Sequence, residues 1–267
     1  MSAYRLAEQG VEYLEPGRST FIAENPGHGP WQDFQSWCAL GNEPLPSRQR
    51  PGIAYAERKK LWIIGAGGFG REVYGLSQTA LGRGTQWVVA GFLNDLPDAL
   101  EGYPDLPPIV ADTDYAPGAN DLFVCAVGTN VTGRKALCAK FKARGARFAN
   151  LIHQGALVSE TAVFGEGIIL EAFTGIGANC VVGDFTSILS HVSIGHDVKI
   201  GASVLVASFA NILGRVEVGD GCVIGSHAVI LPGMKIGAGA TVGAGSVVIS
   251  NVPEGATVFG VPAKQIK

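Results

Sequence analysis

The second half of the chain repeats its hydrophobic positions with a period of six residues. From Ala156 to Asn251 the sequence divides without a gap into sixteen hexads, and the third residue of every hexad is apolar. An α-helix does not produce this pattern, because its turn of 3.6 residues does not divide six. Glycine occupies the fourth position in nine of the sixteen hexads. The repeat therefore predicts a β-helix, in which each short strand points one apolar side chain inward and small residues let the chain turn. Three hexads would close one triangular coil, which gives about five coils.

The chain before the repeat has the pattern of a parallel α/β sheet. The apolar run that begins at Leu61 leads directly into the pattern G-x-G-x-x-G. Bare glycine backbone and the N-terminus of the following helix both suit a pyrophosphate. Two further strands are predicted in WVVAGFLND and DLFVCAVG, and a helix in TGRKALCAKFKARG. Open α/β sheets bind ligands at the carboxyl ends of their strands. The predicted nucleotide-binding residues are therefore Gly65, Gly67, Gly68, Phe69, Gly70, Asn94, Asp95, Gly128 and Asn130.

These patterns predict a protein of class α/β plus all-β with three parts. Residues 59–150 form a small Rossmann-like domain with a parallel sheet, and residues 151–267 form the β-helix. Residues 1–58 are an extension of unknown role that ends in a proline-containing linker. Within the extension, a short amphipathic helical patch is predicted from the spacing of four residues. They are Trp31, Phe34, Trp37 and Cys38.

Composition narrows the class of protein. A net charge of −3 and a hydrophobic fraction of 47% are typical of a globular protein and argue against a nucleic-acid partner, which usually requires a basic face. The first residues lack the apolar core of a secretory signal, and no apolar run reaches the roughly 18–20 residues that span a bilayer. The five cysteines are scattered, which predicts reduced thiols. We therefore expect a cytoplasmic protein without a membrane span.

The segment VSIGHDVKIG places His196 and Asp197 side by side among small and aliphatic residues. A neutral imidazole is a suitable general base near neutral pH, and an adjacent carboxylate stabilises its protonated form. Neighbours within a strand point to opposite faces, so a pair that acts together belongs at a corner of the β-helix. The alternative interpretation is a simple polar turn, which suits Asp220 and Gly221.

Two other classes of enzyme fit parts of the pattern. Asp95 lies 25 residues beyond Gly70, a spacing that allows the ribose contact of a dehydrogenase, but a β-helix seldom supplies the substrate domain that a dehydrogenase needs. His191 and His196 are five residues apart, as are two of the three metal ligands in γ-class carbonic anhydrases.

The third metal ligand is missing from this pattern. Position 155, where it is expected, is glycine, and His153 misses that position by two residues. His227 follows His191 by 36 residues, but Pro232 stands where its partner should be. Two ligands do not hold a catalytic zinc, so no metal is predicted. His153 is expected to have a structural role at the junction of the domains.

The combination resembles the sialic acid O-acetyltransferase and nucleotide-linked amino-sugar N-acetyltransferase family. The resemblance runs from about Leu61 to the C-terminus. The segments on which it rests are GAGGFGREV, GFLND, AVGTN, NLIHQGA, IGHDVKIG and GATVFGVPAK. It implies a left-handed β-helix, a homotrimer with active sites between subunits and a role in polysaccharide biosynthesis. It also implies a nucleotide-linked sugar held by the N-terminal domain and acetyl-CoA as the acyl-donor cosubstrate. His196 is then the general base and Asp197 its acidic partner.

The resemblance extends to the cofactor, with some departures. The residues implied to contact acetyl-CoA are Leu205, Gly214, Ser226, Ala244 and Lys264. Leu205 stands where the family commonly has a second histidine, Gly195 where it often has an acidic residue, and Phe69 where the glycine loop frequently has a histidine. The sugar, the nucleotide and the acyl group therefore stay open.

The predicted function is transfer of acetyl from acetyl-CoA to the amino group of a nucleotide-activated amino sugar. One alternative is O-acetylation of a sugar hydroxyl, such as that of sialic acid. The other is a non-catalytic nucleotide-binding regulator.

Overall fold

The computed structural model describes residues 3–7, 10–15, 18–23, 32, 35, 58–84 and 86–267. The chain divides into two compact units, Met1–Tyr55 and Ala56–Lys267. The first unit contains an antiparallel sheet of β1 (Ala3–Ala7), β2 (Gly10–Glu15) and β3 (Arg18–Ala23). The sequence pattern did not predict these strands. The four residues of the predicted amphipathic patch and the proline-containing linker lie outside the described residues.

The second unit begins with a Rossmann-like domain, as predicted. Its strands are β4 (Lys59–Ile64), β5 (Trp87–Leu93), β6 (Ile109–Ala111) and β7 (Asp121–Cys125). Its helices are α1 (Gly68–Ser77) after β4 and α2 (Val131–Ala143) after β7. All strand pairs are parallel, in the order β6-β5-β4-β7. This order places the carboxyl ends of β4 and β7 side by side, which is where such sheets bind ligands.

The β-helix consists of nineteen short strands. Those up to the middle of the repeat are β8 (Leu151–Ile152), β9 (Leu157–Val158), β10 (Val163–Phe164), β11 (Ile169–Leu170), β12 (Gly175–Ile176), β13 (Val181–Val182), β14 (Ser187–Ile188), β15 (Ser193–Ile194), β16 (Lys199–Ile200) and β17 (Leu205–Val206). The remaining strands are β18 (Asn211–Ile212), β19 (Glu217–Val218), β20 (Val223–Ile224), β21 (Val229–Ile230), β22 (Lys235–Ile236), β23 (Thr241–Val242), β24 (Val247–Val248), β25 (Thr257–Phe259) and β26 (Lys264–Gln265).

The strands stack into three flat faces. Between β8 and β24 the paired strands are parallel and lie 18 residues apart, as Ile176 does from Ile194 and Ile194 from Ile212. This register confirms three hexads per coil. Face 1 contains β8, β11, β14, β17, β20, β23, β25 and β26; face 2 contains β9, β12, β15, β18, β21 and β24; face 3 contains β10, β13, β16, β19 and β22.

The predicted inward positions form the core of the β-helix. Every third-position residue from Leu170 to Val248 is exposed by 4% or less. Val158 and Phe164, in the first coil, are partly exposed. First-position residues such as Val198 and Val204 are buried as well, so two residues of each hexad face inward, where the pattern predicted one.

The turns of the β-helix do not depend on the fourth-position glycines. The sixth residue of each hexad from 167 to 245 has a φ between +56° and +74°, and nine of these residues are not glycine. A Cβ on the fourth-position Gly177 would instead lie 2.7 Å from the backbone of Gly195 in the next coil. The repeat therefore needs glycine there for close approach between coils, while the chain turns at the sixth position.

Sixth-position residues define the three corners of the coil. Corner A, between faces 1 and 2, carries Phe173, His191, Phe209 and His227; corner B, between faces 2 and 3, carries Asn179, Asp197, Arg215 and Gly233; corner C, between faces 3 and 1, carries Phe185, Ser203, Gly221 and Gly239.

The Rossmann-like domain packs on one side of the β-helix. Ile169 of face 1 belongs to the same buried cluster as the sheet and α1. At corner C, the fully buried Arg134 of α2 donates to the Ser203 carbonyl oxygen at 2.7 Å, and the rings of Phe148 and Phe185 lie 4.9 Å apart. Face 1 and corner C are therefore covered, and corner B lies on the opposite side. The predicted boundary at residue 150 falls within this unit.

Candidate active site

The predicted catalytic pair lies at corner B. His196 is the fifth residue of its hexad and Asp197 the sixth, and a φ of +58° at Asp197 turns its side chain back beside the imidazole. His196 Nδ1 is 2.7 Å from Asp197 Oδ2. The two side chains are 55% and 47% exposed. With Nδ1 engaged by the carboxylate, Nε2 is the ring nitrogen left for a substrate.

Asn179, one coil earlier, holds the other oxygen of the aspartate. Its Nδ2 donates to Asp197 Oδ1 at 3.1 Å. The hydrogen bond with His196 holds the pKa of Asp197 below its usual range, and the bond from Asn179 lowers it further. The carboxylate is therefore ionised at neutral pH. The sequence pattern missed Asn179, although its spacing of 18 residues from Asp197 is the signal that would have found it.

Gly214, one coil later, leaves space for the imidazole. A Cβ at this position would stand 2.6 Å from His196 Nε2 and 2.9 Å from Cε1. Any larger residue would therefore push the ring out of place. Gly214 was predicted as a contact for the cofactor, and it lies directly against the candidate base.

The other residues predicted to contact the cofactor lie elsewhere on the β-helix. Ser226 and Ala244 precede the sixth-position residues of corner A. Leu205 is 5% exposed on face 1, and Lys264 is exposed on β26. One chain therefore brings Gly214 together with His196 but not the other four.

The glycine loop contains glycines of two kinds. Gly65 has a φ of +101°, and a Cβ on Gly70 would collide with the Gly65 carbonyl oxygen, so the fold itself requires both. Gly67 has no atom within 4 Å of a Cβ position, and it is the N-cap residue of α1, which has no side-chain cap. The space beside Gly67 and Gly68 is open to a ligand at the helix N-terminus. Phe69 contacts Gly128 across the loop.

The polar residues predicted around this loop hold the surrounding backbone. Asn94 Oδ1 accepts from the Ala66 N–H at 3.2 Å. Asp95 Oδ1 accepts from the Thr113 N–H at 2.9 Å, which lowers the pKa of this aspartate. Asn130 caps α2 through the N–H of its third residue. Their contacts with a nucleotide remain predictions.

His191 and His153 have local partners. His191 belongs to corner A and stacks on Phe209 with a centroid distance of 4.7 Å, so it does not share a site with His196 within the chain. His153 Nδ1 accepts from the Gly155 N–H at 2.9 Å. Within residues 58–84, 86–267 and the described parts of the extension, no group of three or more His, Cys, Asp or Glu is placed to hold a metal ion.

A parallel sheet with a glycine loop, joined to a hexapeptide β-helix with a His–Asp pair at one corner, is typical of hexapeptide-repeat acyltransferases. Residues 60–141 match the family described as the PglD N-terminal domain. Residues 173–208 and 197–232 match the bacterial transferase hexapeptide (six repeats), and residues 215–250 the hexapeptide repeat of succinyl-transferase. No curated protein matches the chain.

Solved structures narrow the class. A point mutant of perosamine N-acetyltransferase from Caulobacter crescentus, in complex with CoA and GDP-perosamine, is 27% identical with a TM-score of 0.71, over 78% of this chain and 97% of that one. The acetyltransferase domain of PglB from Neisseria gonorrhoeae, in complex with acetyl coenzyme A, is 29% identical with a TM-score of 0.70, over 78% and 100%. WeeI from Acinetobacter baumannii is 28% identical with a TM-score of 0.68, over 78% and 100%. The chain therefore resembles the nucleotide-linked sugar acetyltransferases, and it is an acetyl-CoA-dependent acetyltransferase. No helix among the described residues is long and apolar enough to cross a membrane.

Proposed function

We propose that the chain transfers an acetyl group from acetyl-CoA to the amino group of a nucleotide-activated amino sugar, with His196 as the general base. The observation that carries this proposal is the 2.7 Å contact of His196 Nδ1 with Asp197, which leaves Nε2 facing the space above Gly214. The CoA, acetyl-CoA and GDP-perosamine complexes of the structural neighbours support the two substrate classes.

The reaction needs one proton acceptor. The amine nitrogen attacks the thioester carbonyl carbon, so that a C–N bond forms and the C–S bond breaks. His196 Nε2 takes the proton that the amine loses, and the resulting imidazolium gives this proton to the departing CoA thiolate, which leaves as the free thiol. Asp197 fixes the tautomer with the proton on Nδ1 and stabilises the imidazolium that forms.

The donor site proposed here uses two corners of the β-helix. Gly214 contributes its backbone beside His196 at corner B. Ser226 and Ala244 belong to corner A, so they would act on a CoA bound to the His196 of another subunit, as in the predicted homotrimer. Lys264 offers a cation for the CoA phosphates.

The acceptor nucleotide is proposed to bind at the glycine loop. The open space at Gly67 supports this assignment. We expect Gly67→Val to weaken acceptor binding and leave acetyl-CoA binding intact, because a branched side chain there meets only the ligand. Isothermal titration with each substrate measures both affinities. Equal loss of both would contradict the division of labour between the domains.

Release of free thiol from acetyl-CoA tests the proposed function. The acceptors are UDP-, GDP- and dTDP-linked 4-amino sugars together with their 4-hydroxyl analogues. We expect turnover with an amino sugar and none with its hydroxyl analogue. The reverse preference would assign O-acetylation, and no turnover with any acceptor would favour the nucleotide-binding regulator.

A further inference from the structure

Corner A carries a column of four rings that the donor and acceptor sites described above do not use. Phe173, His191, Phe209 and His227 follow one another at intervals of one coil, with centroid distances of 4.9, 4.7 and 4.8 Å. Phe173 is 67% exposed and Phe209 44%. We call this stack the corner ladder. Beside it, the hydroxyls of Ser190 and Ser208 are 3.3 Å apart.

The Rossmann-like domain and His196 of one chain lie on opposite sides of the β-helix. In a triangular coil, face 1 lies opposite corner B, and this domain covers face 1 and corner C. The hexads run without interruption, so no loop of the β-helix bridges the distance. An acceptor held at the glycine loop therefore meets the base of another copy.

The glycine loop lies on the side of corner A. Ala80, just after α1, pairs with His153 at the base of that corner. Val73 and Leu76 of α1 belong to the same buried cluster as Ile169, which lies on the strand that leads into corner A, so the helix runs near the corner. A helix of ten residues spans about 15 Å, or roughly three coils. If the helix runs along the β-helix, the loop at its N-terminal end reaches the level of the corner ladder.

The ladder is also level with the base of a neighbouring copy. In a ring of copies related by rotation about an axis parallel to the β-helix, equal residue numbers lie at equal heights. His196 follows His191 by five residues and precedes Phe209 by thirteen, in a coil of eighteen. His196 of one copy therefore lies between the heights of these two rings in the next copy.

Charge distinguishes the two remaining faces. Three of the five outward positions of face 3 form the charged row Lys199, Glu217 and Lys235, and the other two are Val163 and Val181. The matching positions of face 2 are uncharged: Gly175, Ser193, Asn211, Val229 and Val247. A second copy approaches more readily over face 2, since burying charge is costly. Face 2 joins corner A to corner B, so contact over it brings the ladder of one copy to the base of another.

We propose that His191 and Phe209 of the corner ladder form a wall of the acceptor cleft whose base, His196, belongs to a second copy of the chain. The inference rests on the proposed function. The stack leaves the edges of these rings exposed, and the edges pack against the apolar face of the acceptor sugar. The Ser190 and Ser208 hydroxyls offer hydrogen bonds to its polar groups.

The double variant His191→Gly/Phe209→Gly tests the wall. Both residues have positive φ, at +61° and +65°, so glycine removes the rings without backbone strain. We expect the acceptor KM to rise about tenfold through the loss of the apolar contact with the ring edges, while the KM for acetyl-CoA and the melting temperature change little. Phe173→Gly, at the foot of the ladder and below the level of His196, serves as the matched control with a smaller effect. An unchanged acceptor KM in the double variant, or an equal rise in the control, overturns the assignment.

Mixing variants tests the arrangement between copies. A His196→Ala chain and the double ladder variant are unfolded, mixed in equal amounts, refolded together and assayed well below the acceptor KM. If base and ladder come from different copies, about one quarter of the sites regain both, whereas none does if they act within one chain.

The control is a chain with all three substitutions, mixed with the unsubstituted chain. About one quarter of the sites are intact if base and ladder come from different copies, and about one half are intact if both come from one chain. No regained activity in the first mixture, with His196→Ala alone inactive, overturns the inference. Activity of His196→Ala alone would instead overturn the proposed function.

Discussion

Corners B and C of the β-helix both carry aspartates, and the structure uses them in different ways. At corner C, Asp220 Oδ1 accepts from the Ala202 N–H at 2.8 Å, and Asp184 Oδ1 accepts from the Glu166 N–H at 3.0 Å. Each closes the backbone of the preceding coil. At corner B, the two oxygens of Asp197 contact the side chains of His196 and Asn179.

The difference follows from the place in the hexad. Asp184 and Asp220 are fifth residues, whose side chains reach the coil before them. Asp197 is a sixth residue with positive φ, so its carboxylate lies beside the fifth-position side chain of its own coil. An aspartate at the fifth position of a hexad therefore caps the backbone, whereas the aspartate at the sixth position pairs with a histidine. The catalytic role of the pair at corner B stays a prediction.

The largest expected effect concerns the base itself. We expect His196→Ala to lower kcat by about 10²–10⁴, the usual contribution of a general base. The melting temperature should change little, because the half-exposed ring adds nothing to the core columns. Steady-state kinetics and thermal unfolding measure both. Near-normal turnover would make corner B a polar turn like corner C.

Glycine-to-alanine substitutions at corners B and C should affect kcat and the free energy of unfolding differently. Gly214→Ala meets only the exposed His196 ring, so we expect kcat to fall about 10²-fold with stability changed by less than about 0.5 kcal/mol. Gly201→Ala at corner C would place a Cβ 2.7 Å from the Asp220 backbone nitrogen. It should cost about 1–3 kcal/mol of unfolding free energy and leave kcat of the folded enzyme near normal. Kinetics and denaturant unfolding of both variants test this, and an interchange of the two effects would refute it.

The period of six was enough to predict the coil and its core. The apolar third positions set the inward face, and the buried residues from Leu170 to Val248 confirm it. The turn position was hidden, because positive φ falls on residues as different as Phe, His, Asp and Arg. No local preference shared by these residue types marks a turn. Closure between coils imposes this conformation.

Only the residues of the candidate site that are adjacent in the sequence could be predicted. His196 and Asp197 are adjacent, so their pairing was visible. Asn179 and Gly214 act on them from the coils before and after, a relation that appears only once the 18-residue register is fixed. Asn94 and Asn130 were predicted to bind a nucleotide, and their observed bonds to the backbone depend on loop geometry that the sequence does not show.

Removing charge at the two aspartates should have separate consequences. Asp197→Asn replaces a charge-assisted hydrogen bond by a neutral one, so we expect kcat to fall about tenfold. The acidic limb of the pH–rate profile should move to lower pH, since the neutral amide stabilises the imidazolium less. Asp220→Ala should cost about 1 kcal/mol of stability through its lost hydrogen bond and leave the profile in place. Kinetics over about pH 5.5–9 bracket the ordinary histidine range. If Asp220→Ala also shifts the pH–rate profile, the net charge of the protein sets the position of the acidic limb, and the contact between Asp197 and His196 does not.

The smallest effect is expected at Asn179, which acts through Asp197 and does not touch a substrate. Asn179 has a φ of +59°, so glycine keeps the backbone and removes only the carboxamide. Since one hydrogen bond to a charged group at the surface is lost, we expect Asn179→Gly to lower kcat about threefold, with unchanged KM for acetyl-CoA and unchanged melting. The double variant Asn179→Gly/Asp197→Asn tests whether Asn179 acts by positioning Asp197. In this variant the carboxylate that Asn179 holds is already gone, so Asn179→Gly should lower kcat little further, and the losses of the two single variants should not multiply. An equal loss in both backgrounds would show that Asn179 acts elsewhere at corner B.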